Sequence, residues 1–117
     1  MSSTFFGASF DAANAARVAA FWAAALNRQV AAGADEHDAV VEVGDSGGGP
    51  RLAFHQVPEA KRVKNRFHPD LIADDYEAEA KRLIALGAIE LTEFARDGAR
   101  WTTFADVEGN EFDLIAG

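Results

Sequence analysis

The segments RLAFHQV (51–57) and GNEFDLI (109–115) superpose without a gap, matching Phe54 to Phe112, His55 to Asp113 and Val57 to Ile115. Each follows a glycine-containing turn, and each closes a half of the chain that reads strand, helix, strands. A duplicated unit that cannot bury its own sheet must pair with its copy. The expectation is an α+β fold of two βαβββ units that form a cup-shaped, curved mixed sheet with the helices outside. Unit one would cover about 1–57, a connector 58–66 and unit two 67–117, all within a single domain of 117 residues. With 49% hydrophobic residues, that length suffices for a real core.

The local patterns agree with this plan. In TFFGASFD (4–11), Phe6, Ala8 and Phe10 face one way while Gly7, Ser9 and Asp11 face the other, a strand signal. Asn14 is a plausible N-cap for a helix whose stripe is Val18, Phe21, Trp22, Ala25 and Leu26. The apolar run Val40 to Val43, a turn from Asp45, Ser46 and three glycines, and a strand from Arg51 to Val57 predict a hairpin with a mobile tip. That glycine run lacks the lysine of a phosphate loop and precedes a strand.

In FHPDLIADD the alternation sets Phe67, Pro69 and Leu71 against His68, Asp70 and Ile72, with Pro69 restricting the strand to an edge or a first position. Asp74 reads as the N-cap of a second helix with Glu77 completing a capping box, Tyr76, Ala80, Leu83 and Ile84 as its buried stripe and Gly87 as its stop. AIELTEFA and ARWTTFAD pair as strands, and NEFDLIAG closes the chain.

A formal net charge of −8 opposes binding to a phosphate backbone or an anionic membrane, so neither nucleic acid nor membrane is an expected partner. The basic run KRVKNR (61–66) reads as a solvated linker face. The absence of cysteine excludes disulfides and thiolate metal sites. With no signal-like start and no long apolar run, a cytoplasmic protein is the default. His37, in the polar run ADEHDAV, reads as a solvent histidine.

The chain resembles the vicinal oxygen chelate superfamily, in particular its short glyoxalase-like and bleomycin-resistance-like bacterial members. The likeness runs through FDAANAARVAAFWAAAL, FHQVPEAKRVKNRFHPDL, EAEAKRLIALGA and FADVEGNEFDLI. It implies divalent metal binding by residues from the first and last strands of each unit. Carried over position by position, those sites fall on His68 and Asp113 in the second unit. In the first they fall on His55 and on Gly7, which has no side chain to offer.

Two histidines and a carboxylate have the composition of a site for one divalent ion (Zn, Fe, Mn or Ni) with open positions. Equally, these groups could bond one another in a metal-free cup. Glu111 or Asp70 is a candidate base, and Ser9, Asp11, Trp101 and Thr103 are candidate ligand-binding residues, placed on the concave side by strand phase. Two readings stand side by side: a metal-dependent lyase, isomerase or dioxygenase acting on adjacent oxygens, and a metal-free protein that sequesters a small aromatic or cationic compound. The resemblance also implies a homodimer.

Overall fold

A computed structural model of the chain describes residues 2–45 and 47–117. It forms two compact units, one ending at Ala60 and the other beginning at Lys61. Ser46, expected in the glycine-rich turn, lies outside the described residues.

The first unit runs β1 (Gly7–Ala12), α1 (Ala15–Leu26), β2 (Asp38–Val41) and β3 (Arg51–Gln56). Its sheet has the order β1-β3-β2, with β3 parallel to β1 and antiparallel to β2. Asn14 caps α1, its side chain accepting from Arg17 N at 3.1 Å, and Asn27 ends it in the left-handed region at φ 54°. The helix buries Val18, Phe21, Trp22 and Ala25. Phe10 sits between Trp22 and Phe54, at ring-centroid distances of 5.7 and 4.9 Å, so one face of this sheet packs on α1. Truncating Phe54, fully buried, to alanine would cost about 3–5 kcal/mol by leaving a cavity in that stack.

Between α1 and β2 the repeat is abbreviated. Where the second unit has a full strand, the first keeps a single antiparallel bridge, Val30 to Val41. The glycine-rich tip is gripped by Arg28, whose guanidinium donates to Pro50 O at 2.6 Å and Gly48 O at 2.7 Å.

The second unit runs β4 (Asp70–Ala73), α2 (Tyr76–Ala85), β5 (Ile89–Arg96), β6 (Ala99–Ala105) and β7 (Glu111–Ala116), with sheet order β4-β7-β6-β5. β4 and β7 are parallel and the other pairs antiparallel. The strand predicted from Phe67 begins at Asp70, because Pro69 has no N–H to give; its carbonyl still accepts from Asp113 N at 3.0 Å.

Asp75, not Asp74, caps α2, accepting from Ala78 N at 3.1 Å. Tyr76 and Leu83 are buried, whereas Ile84 is 47% exposed, so the apolar stripe is narrower than its composition suggests. Gly87, at φ 117°, ends the helix as expected. A two-residue Asp97-Gly98 turn with φ 51° and 82° joins β5 to β6, the positive-φ geometry that suits the twist of a hairpin. The β6–β7 turn is organised by buried Asp106, whose Oδ1 accepts from Glu108 N at 2.8 Å and Asn110 N at 2.9 Å. Among the described residues, no helix is long and apolar enough to cross a membrane.

Candidate functional site

In the second unit the strand period divides the sheet cleanly. Thr102 hydrogen-bonds Tyr76 of α2, and the Arg100 guanidinium lies over the Tyr76 ring at 4.4 Å, so their face of β6 is the helix side. Trp101 and Thr103 therefore point away from α2. Their rungs on β7 are Ile115 and Asp113, and the rung of Asp113 on β4 is Asp70, so these side chains share the helix-distal face.

Asp113 is the centre of that face. Thr103 Oγ1 donates to its Oδ1 at 2.5 Å, and His68 Nδ1 lies 3.9 Å from its Oδ2. The His68 and Asp113 side chains are 26% and 16% exposed, which leaves them reachable but poorly screened. The other ring nitrogen, His68 Nε2, is 2.7 Å from Asn65 O. A carbonyl only accepts, so Nε2 carries the proton and the Nδ1 of a neutral ring presents a lone pair toward Asp113. Asp70 is raised above the ordinary aspartate range, chiefly by burial and then by the neighbouring Asp113 carboxylate, with His68 opposing the shift. Beside this polar group, Trp101 stacks on Phe94 at 5.2 Å and 16°, giving a flat aromatic surface in which Phe94 is 39% exposed.

Glu111, a candidate base by sequence, has a different occupation. It is 9% exposed, and its oxygens accept from Asn65 N at 2.6 Å and Lys61 Nζ at 3.1 Å. Burial opposes its charge, but the Asn65 N–H and the Lys61 ammonium outweigh that and hold it below the ordinary glutamate value. A carboxylate so engaged is a poor proton acceptor, which leaves Asp70 as the better placed of the two. Asn65 and Lys61 belong to the run read as a solvated linker, and their partner is 46 or 50 residues away. The only trace in the sequence is an asparagine inside a mostly basic run.

In the first unit, Ser9 and Asp11 alternate with Phe10 and so lie on the helix-distal face, both exposed. His55 is there too, opposite Asp11 on β1 and Asp38 on β2. Its Nδ1 is 2.8 Å from Asp38 Oδ1, an exposed pair. The rung of Gly7 is Arg51, four residues before His55, so the two positions that the family likeness pairs here lie about 13 Å apart along the sheet. Position 7 is also closed: a Cβ on Gly7 would lie 2.7 Å from the Arg51 carbonyl oxygen. His37 is exposed as expected, and its Nδ1 finds Gln56 Oε1 at 2.8 Å.

The repeat is therefore faithful in face and offset in register. Asp11, the rung of His55, lies three residues before the cap Asn14, whereas Asp70, the rung of Asp113, lies five before Asp75. A two-residue difference keeps the face and moves the side chain along it. His68 and Asp113 come together; Gly7 and His55 do not. Among the described residues, neither unit gathers three or more His, Asp or Glu side chains into a metal-holding set. His68 and Asp113 supply one nitrogen and one carboxylate, donors that suit a divalent cation in kind, with Asp70 adding negative charge alongside.

A model of the glyoxalase-like domain family matches residues 7–115. None of the proteins of curated function matches the chain. Among solved structures, the fosfomycin resistance protein FosX from Mesorhizobium loti is similar over 100% of this chain and 94% of its own, with 18% identity and a TM-score of 0.75. A variant of FosX from Listeria monocytogenes, complexed with Mn(II) and 1S,2S-dihydroxypropylphosphonic acid, covers 100% of this chain and 92% of its own at 17% identity and TM-score 0.78. A glyoxalase/bleomycin resistance protein/dioxygenase family enzyme from Burkholderia phytofirmans PsJN gives 13% identity and TM-score 0.77, over 97% of this chain and 98% of its own. At these identities the likeness is one of fold.

Proposed function

Because the chain belongs to the glyoxalase-like domain family of the vicinal oxygen chelate superfamily, we propose that it binds a small molecule carrying adjacent oxygens on the helix-distal face of its second unit. The observation that carries this reading is the side-by-side placement of the His68 Nδ1 lone pair and the Asp113 carboxylate. His68 and Asp113 would hold a divalent ion, as the Mn(II) complex of the Listeria relative suggests by analogy. Such an ion supplies Lewis acidity, polarising substrate oxygens and stabilising developing negative charge. The chain's own residues do the rest. Thr103 fixes the Asp113 carboxylate, Asp70 takes up or releases a proton nearby, and Trp101 with Phe94 covers a flat part of the ligand.

Metal analysis and calorimetric titration of untagged protein with Mn(II) and Zn(II), alongside His68→Ala, test this. Binding that disappears in the variant supports the reading, and an unloaded wild type under every supplementation sinks it.

One observation favours a metal-free binder: position 7 is closed to any side chain, so the first unit brings no ligand there. In that version the Trp101–Phe94 surface and the acidic group beside it carry the function. A thermal-shift screen discriminates, since a compound at 100 times its dissociation constant adds about 2.7 kcal/mol. Hits that ignore Trp101→Ala remove this version.

Pairing of two chains belongs to the same proposal. β5 is exposed along its whole length as an edge strand carrying Ile89 and Leu91, 62% and 50% exposed, an edge that a second copy would cover. Sedimentation of wild type against Leu91→Lys reads this directly, a dimer turning monomeric.

A further inference from the structure

The run KRVKNR is tied to the start of β7 by a side-chain clasp. Asn65 N donates to Glu111 Oε1 at 2.6 Å, and Glu111 N returns a bond to Asn65 Oδ1 at 3.0 Å. Lys61 Nζ donates to Glu111 Oε2 at 3.1 Å and to Val63 O at 2.7 Å, which ties the connector's own backbone into the same group. The pair of Asn65–Glu111 bonds reproduces with side chains what a β-bridge does with backbone, across 46 residues. The free end of this clasp is the Asn65 carbonyl, and it accepts from His68 Nε2 at 2.7 Å.

We propose that Glu111 is a positioning residue: by anchoring Asn65 it holds His68 as the Nε2–H tautomer with Nδ1 turned to Asp113. At 3.9 Å, Nδ1 is too far from the carboxylate for a hydrogen bond, so among the described residues the one hydrogen bond to the ring is the one from Nε2 to Asn65 O. The selection comes from the connector. Released from Glu111, Asn65 loses a bond that holds it beside β7, its carbonyl is no longer kept in place against the ring, and the imidazole is free to exchange its proton between nitrogens. Partners that orient a histidine in this way typically change metal affinity by roughly 10- to 100-fold when removed. This inference rests on His68 belonging to the binding site.

The chain has three histidines, so the ring nitrogens of His68 are readily assigned by comparing ¹⁵N-labelled wild type with His68→Gln in long-range ¹H–¹⁵N spectra. Wild type above the imidazole titration range is expected to show the Nε2–H form alone. Glu111→Ala is expected to mix the two tautomers, and Glu111→Gln, which keeps an acceptor for Asn65 N–H, to restore the single form. Should Glu111→Ala not fold, Asn65→Ala removes one bond of the clasp and is read in the same spectrum, again with mixing expected. A mixed or Nδ1–H wild type, or a folded clasp variant with an unchanged tautomer, overturns the proposal. The site reading fails separately: Mn(II) and Zn(II) titrations that ignore His68→Ala reject it whatever the tautomer does.

Discussion

Thr103 Oγ1 donates to Asp113 Oδ1 at 2.5 Å across one rung of β6 and β7, so the carboxylate at the centre of the site is held from inside its own sheet. Thr103→Val keeps the shape and deletes the donor. It should lower stability by about 1 kcal/mol, the usual worth of a partly buried hydrogen bond, and weaken any ligand that needs Asp113 in place. Urea midpoints and a titration on the same preparation check both; unchanged affinity would mean that Asp113 needs no positioning.

The closure of position 7 is a steric matter. Any side chain there brings a Cβ to 2.7 Å from the Arg51 carbonyl oxygen, and backbone does not yield cheaply. Gly7→His, which supplies the side chain the family likeness lacks here, should therefore destabilise by roughly 1–3 kcal/mol through overpacking. Chemical denaturation decides, and a Gly7→His protein as stable as wild type contradicts the contact.

Two carboxylates give opposite pH signatures. Glu111 is held below its ordinary value, so the stability it contributes is present above the unfolded pKa and lost as pH falls through the folded one. Glu111→Gln should be less stable at neutral pH, with the deficit shrinking in acid. Asp70 is raised, so its charge costs stability above the folded pKa, and the cost is relieved as pH falls through it. Asp70→Asn should match or exceed wild type at neutral pH, the gain vanishing below the ordinary aspartate range. Urea midpoints between neutral and about pH 3 separate the two, and parallel curves for all three proteins would refute both assignments.

The buried Tyr76–Thr102 hydrogen bond joins α2 to the middle of β6. Tyr76→Phe leaves the Thr102 hydroxyl, 1% exposed, without that partner, a loss of about 1–3 kcal/mol. Thermal unfolding of Tyr76→Phe against Tyr76→Phe/Thr102→Val tests it, since replacing both partners should recover part of the loss.

What the sequence made legible followed from periodicity. Both helices, the alternation that sets His55 against Phe54 and Asp113 against Phe112, and the capping asparagine of α1 are properties of neighbouring residues. With two successive aspartates before α2, either suits the cap, and spacing alone chose the wrong one. The less legible features depend on distant pairing. Ungapped superposition equates His55 with Asp113, but the parallel ladders set one opposite Asp11 and the other opposite Asp70. Glu111 reads as a candidate base in the sequence because Asn65 and Lys61 reach it from another part of the chain, and the Gly7 contact is with a backbone atom that composition does not encode.

The central claim is that His68 and Asp113 form one binding centre. Calorimetric titration of untagged wild type, His68→Ala and Asp113→Asn with Mn(II) and Zn(II) tests it most directly. The account predicts saturable binding of at least one ion to wild type and its loss in both variants. Binding that survives both substitutions, or a wild type that takes up neither ion, would contradict it.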